Sequence, residues 1–146
     1  MPLHVVCGLI ALSAASVPAP PKLHLTLRAS ASSVVTGTPV VFTAQLTGGE
    51  ESEEFYCLTR QWDWGDETKS LEEGECPPYK VGETPVERRF STQRAFDQGS
   101  RTVFLTLSKN GKEVAKAKIG IKVSPRLGQS LRAVQGGKPV DPPKPE

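Results

Sequence analysis

The stretch Gln61-Trp62-Asp63-Trp64-Gly65-Asp66-Glu67 decides how this chain is read. Trp62 and Trp64 are its two tryptophans, and a spacing of two puts both indoles on one face of an extended strand. A buried aromatic contributes far more apolar surface than a valine, so the pair is expected to anchor a small core. Gly65 tolerates positive φ, and Asp66 can bond its own backbone. The strand is therefore expected to run straight into a tight acidic turn.

Alternating apolar residues flank this stretch on both sides. Upstream, Leu23, Leu25 and Leu27 alternate with His24, Thr26 and Arg28, the pattern of a half-buried strand. The small and polar run Ala29 to Gly37 suits a strand that breaks or changes partner before the Thr36-Gly37-Thr38-Pro39 turn. Val40, Phe42, Ala44 and Leu46 then face inward, with Val41, Thr43 and Gln45 outward. The tryptophan strand is expected to start at Phe55 and reach Trp64, with Tyr56, Leu58, Trp62 and Trp64 of one parity. Arg60 shares that parity, so it either reaches the sheet margin or pairs with an acidic neighbour.

Downstream, Glu67 to Pro85 is long, acidic and proline-bearing, and reads as one loop. Val86 to Phe96 reads as a weaker strand anchored by Phe90 and Phe96. Asp97-Gln98-Gly99 turns the chain into a strand with Val103, Leu105 and Leu107 inward. Asn110-Gly111 then selects a type I′ hairpin turn. The returning strand sets Ala115, Ala117, Ile119, Ile121 and Val123 on one face and Lys116, Lys118 and Lys122 on the other. A lysine row on a terminal strand guards against edge-to-edge association. It does not read as a nucleic-acid patch, because no aromatics interleave with it to stack bases.

The 146 residues leave room for one domain and tails, and 13 Pro with 13 Gly suit a loop-rich β domain. The net charge of +2 hides a division. Residues 50–75 hold ten acidic side chains against Arg60 and Lys69, a local charge of −8 that leaves +10 for the remainder. Residues 1–19 read as an export signal: Val5 to Val17 is apolar or small, too short to span a bilayer, and ends at Val17-Pro18-Ala19-Pro20-Pro21. The segment lacks the usual basic residue near its start. Cys7 has Val6 before it rather than the small residue a lipid anchor needs. The expected domain is residues 20–124. Residues 125–146 carry Gly, Lys and five prolines without apolar periodicity, and a disordered tail is expected there.

With the signal removed, Cys57 and Cys76 remain, and an even count in a small exported domain reads as one disulfide. Structural zinc wants four ligands, which two thiols without a nearby histidine do not supply.

Short strands, no helical pattern and an Asn-Gly hairpin indicate an all-β sandwich. Trp62-Asp63-Trp64-Gly65-Asp66 resembles the Trp-Asp-Phe-Gly-Asp signature of PKD (polycystic kidney disease) domains. Gly37, the Val40-x-Phe42-x-Ala44 strand, Phe96, Gly99 and the Val103-x-Leu105-x-Leu107 strand follow the family's order. The resemblance covers residues 23–124, with Trp64 where Phe is usual and Glu67 where Gly is common. It implies an immunoglobulin-like, two-sheet antiparallel β-sandwich, secreted, periplasmic or on the cell surface. It also implies a non-catalytic module that binds an extracellular protein or glycan, or serves as a spacer. Some members attached to bacterial collagenases bind Ca²⁺ near the signature, which makes Asp63 and Asp66 the candidate metal ligands. Two aspartates around a turn more commonly cap the turn itself, so the expected state is without a cofactor. Glu72, Glu73 and Glu75 in the acidic loop are the candidate binding residues. A small hydrolase is the distant third reading, because His24 has no evident partner and the cysteines lack Cys-x-x-Cys spacing.

Overall fold

The computed structural model describes residues 22–126. The expected export signal lies outside the described residues, as does all of the expected tail beyond Arg126. Among the described residues, eight strands form two sheets packed as a β-sandwich. The smaller sheet has the order β1 (His24–Ala29), β3 (Val40–Thr47) and β6 (Arg89–Arg94), all antiparallel. In the larger sheet β2 (Ser33–Val35), β8 (Lys112–Ser124), β7 (Gly99–Lys109), β4 (Thr59–Asp63) and β5 (Lys69–Glu72) lie side by side. The arrangement is immunoglobulin-like, the chain passing from the smaller to the larger sheet between β1 and β2.

Each expected alternation supplies one layer of the core. Val40, Phe42, Ala44 and Leu46 from β3 and Leu25 and Leu27 from β1 face Trp62, Val103, Leu105, Leu107, Ile121 and Val123 of the other sheet. Trp62 and Trp64 are buried and stacked, with ring centroids 5.4 Å apart and planes 7° from parallel. Phe42 and Phe96 pack against them, Phe96 edge-on to Trp64. Each buried indole represents roughly 5 kcal/mol of gross transfer free energy, so the pair is the largest single contribution to the core.

The structure departs from the sequence-based expectation in three places. The larger sheet is mixed, because β2 pairs in parallel with β8, Ser33 opposite Lys122 through Val35 opposite Ser124. Short and flanked by small and polar residues, β2 is the element that changes partner, as Ala29 to Gly37 suggested. Next, the tryptophan strand starts at Thr59 rather than Phe55. Glu53–Phe55 forms a 3-10 turn, Cys57 takes φ +56, and Tyr56 consequently leaves the inward face. Finally, Glu67 to Pro85 is not one loop, since Lys69–Glu72 pairs with β4 as an edge strand.

The Asn110-Gly111 turn has φ +51 and +78, as a type I′ hairpin requires. Beyond it the ladder skips Val114, a bulge, before Leu107 pairs with Ala115.

Candidate functional site

The signature turn places its acidic groups first by local hydrogen bonds and then by contacts to the opposite sheet. Asp63 Oδ1 accepts from the Gly65 N–H at 3.1 Å, and its Oδ2 lies 3.5 Å from Lys69 Nζ. Gly65 is required at φ +69, where a Cβ would stand 2.5 Å from the Thr102 carbonyl oxygen. Asp66 Oδ1 accepts from the Thr68 N–H at 3.1 Å and from the Thr68 hydroxyl. Its Oδ2 accepts from Arg94 Nη2 at 3.0 Å, across the sandwich on β6. The same guanidinium lies 4.9 Å from the centroid of the Trp64 ring, and Trp64 Nε1 donates to Ser70 Oγ at 2.9 Å.

Partial desolvation pushes the Asp66 carboxyl up, but the Thr68 hydroxyl and N–H and then the Arg94 charge outweigh it. The group is held below the ordinary carboxylate value. The two candidate metal ligands therefore have all four carboxylate oxygens facing a protein donor or cation. No group of three or more His, Cys, Asp or Glu side chains suited to a metal occurs among the described residues.

Arg60 takes the pairing alternative. Its Nε lies 3.2 Å from Glu72 Oε2 and its Nη1 3.6 Å from Glu87, while its guanidinium lies 5.5 Å from the Phe90 centroid. Glu72 is thus part of an ion-paired sheet margin. Glu73 and Glu75 lie beyond the strand, exposed, with no ion pair among the described residues. Arg94 was not singled out in the sequence. The signal was available, because Phe90, Thr92, Arg94 and Phe96 share one parity and a cation between two core phenylalanines demands a partner.

One end of the sandwich gathers the long connections. Cys57 and Cys76 form a disulfide with Cα atoms 6.0 Å apart, tying the β3–β4 connection to the β5–β6 connection. The Tyr56 and Tyr79 rings meet at 5.4 Å, with Tyr56 Oη donating to the Pro77 carbonyl at 2.8 Å and Tyr79 Oη to that of Glu51 at 3.3 Å. Arg88 donates to the carbonyls of Gly48 and Glu50 at 2.7 and 3.2 Å. Lys109 of the hairpin donates to the Tyr56 carbonyl. A cleft of about 350 Å³ runs along the disulfide between Tyr56, Pro77, Tyr79 and Lys109. A second of about 740 Å³ lies between Leu23, Phe55 and Val114, rimmed by Glu53, Glu54, Glu113, Lys109 and Lys112. Val81, at the tip of the longer connection, is 87% exposed. Sequence reasoning found the crosslink and the acidic residues but not the two tyrosines that join the loops.

His24 lies on the outer face of the edge strand β1, exposed. A disulfide is compatible with an extracellular location. No helix among the described residues is long and apolar enough to cross a membrane. Compared with known proteins, the chain matches no family model and no curated protein.

Proposed function

We propose that this chain is an exported, non-catalytic, PKD-like domain that binds a protein or glycan through the loop end carrying Glu73 and Glu75. The supporting observation is the restraint on that end. Glu73 to Arg88 has no regular strand or helix, yet a disulfide, a tyrosine pair and Arg88 hold it to the Gly48–Leu58 connection. Ordering irregular chain costs about 1–2 kcal/mol per residue in backbone entropy, and these residues return little core. Restraint of an exposed, charged surface suits recognition, where a fixed shape spares the entropy of ordering on contact.

The cysteines and the two turn aspartates are engaged otherwise. The cysteines are bonded to each other, Asp66 is paired with Arg94, and Asp63 holds the turn and Lys69. The signature stretch, in this reading, is architecture rather than a ligand site. Affinity capture with the folded full chain, repeated with Glu73→Gln/Glu75→Gln, tests the assignment. Loss of captured partners supports it. An unchanged set of partners removes the acidic loop as the contact and leaves the spacer role.

A further inference from the structure

Among the described residues, half of β8 has no hydrogen-bonded neighbour on one side. β2 covers only Lys122 to Ser124, so from Lys116 to Gly120 the strand is paired to β7 alone. The open backbone groups can be identified. The Lys122 N–H donates to the Ser32 carbonyl, and the Ser124 carbonyl accepts from the Thr36 N–H, so these residues point their backbone away from β7. Backbone direction alternates along a strand, which gives Lys116, Lys118 and Gly120 the same orientation. Among the described residues, no backbone hydrogen bond reaches that side of these three.

Core cover fails along the same length. Ile121 and Val123, beside β2, are 3% and 4% exposed, whereas Ala115, Ala117 and Ile119 face the same interior and are only partly buried. β1 of the opposite sheet packs near β8 without pairing with it, and among the described residues the cover over Ala115, Ala117 and Ile119 is incomplete. On the outer face of this segment Lys116 and Lys118 are exposed and have no acidic partner among the described residues.

We propose that the open edge of β8 is a strand-addition site for an extended partner segment whose apolar residues alternate with acidic ones. An added strand would bond the free N–H and C=O groups of Lys116, Lys118 and Gly120. Its apolar side chains would complete the cover over Ala117 and Ile119, and its acidic ones would stand beside Lys116 and Lys118. Cross-strand pairs of opposite charge favour that register. The same lysines oppose a second copy of the chain, since two β8 edges would set lysine against lysine. The site rests on the reading of the chain as a protein-binding module but uses a different surface from Glu73 and Glu75.

The test is backbone amide exchange in the ¹⁵N-labelled full chain, titrated with a ten-residue peptide alternating valine and glutamate and with its valine–lysine counterpart. At peptide about ten times its Kd, exchange at Lys116, Lys118 and Gly120 is expected to slow about tenfold with the glutamate peptide alone. Lys118→Pro should abolish the effect. The N–H it removes points to the open side, so the β7 ladder survives. Should that variant not fold, Lys116→Glu/Lys118→Glu should transfer the response to the lysine peptide. Glu73→Gln/Glu75→Gln should leave the titration unchanged, which separates failure here from failure of the loop assignment. Unchanged exchange at the three amides, equal response to both peptides, or protection already complete without peptide would each overturn the proposal. The last would mean the chain's own residues occupy the edge.

Discussion

Asp66, in the turn that follows β4, and Arg94, on β6 of the opposite sheet, meet at 3.0 Å and clamp the two layers of the sandwich together. The contact is part-buried, and the guanidinium also covers Trp64. The turn's most conspicuous carboxylate therefore serves the fold.

This pairing gives stability a defined pH dependence. Asp66 has its carboxyl below the ordinary value in the folded chain, so the folded state favours the ionised form. Its stabilisation is complete above the unfolded carboxylate value of about 4 and is lost as pH falls through the depressed folded value. Asp66→Asn should lower stability near neutrality by about 1–2 kcal/mol, discounted for partial exposure. Urea titrations of both proteins from pH 7 to pH 2 should converge at the acid end.

Two neighbouring turn positions should respond in opposite directions. Gly65→Ala should cost more than about 2 kcal/mol, because strain at positive φ adds to a collision with the Thr102 carbonyl. Gly82→Ala, with φ +74 and open space around it, should cost only about 1–2 kcal/mol. Glu67 holds φ +67 with a full side chain, so Glu67→Gly should stabilise by up to about 1 kcal/mol. Thermal melts of the three variants check the order.

The strands that face the core were legible in the sequence because burial leaves a period of two in apolar residues, as in Val40 to Leu46 and Val103 to Leu107. The elements that were missed are those where burial leaves no such trace. In β5 the pattern is inverted: Ser70 and Glu72 point to Trp64 and Arg60, while Leu71 is 61% exposed. A polar edge strand bonded to core-strand side chains reads as loop. The early strand start failed at Cys57, whose left-handed backbone no residue-type rule anticipates. Parallel pairing of β2 depends on where the chain crosses between sheets, which three polar-flanked valine-rich residues do not encode. In the candidate site, the crosslink followed from counting cysteines, whereas the Tyr56–Tyr79 contact depends on loop paths fixed only in three dimensions.

Removing the crosslink should separate the loop end from the core. Cys57→Ser/Cys76→Ser should lower stability by about 3 kcal/mol in the chain-entropy description. Limited proteolysis should then cut between Glu73 and Glu87 well before the core strands, whose burial is independent of the bridge.

Adding calcium should leave the fold unaffected. The Asp63 and Asp66 oxygens already face Gly65, Lys69, Thr68 and Arg94, so a cation would have to displace existing partners. The melting temperature should be the same in millimolar CaCl₂ and in chelator, whereas a rise with calcium would return these aspartates to the role of ligands.

The clamp itself is tested most directly by a double-mutant cycle of Asp66→Asn and Arg94→Gln, read by urea unfolding at neutral pH. A coupling of about 1–2 kcal/mol is expected, since each substitution removes the same contact between the sheets. Effects that add to within about 0.3 kcal/mol would contradict it, because the two residues would then stabilise the sandwich independently.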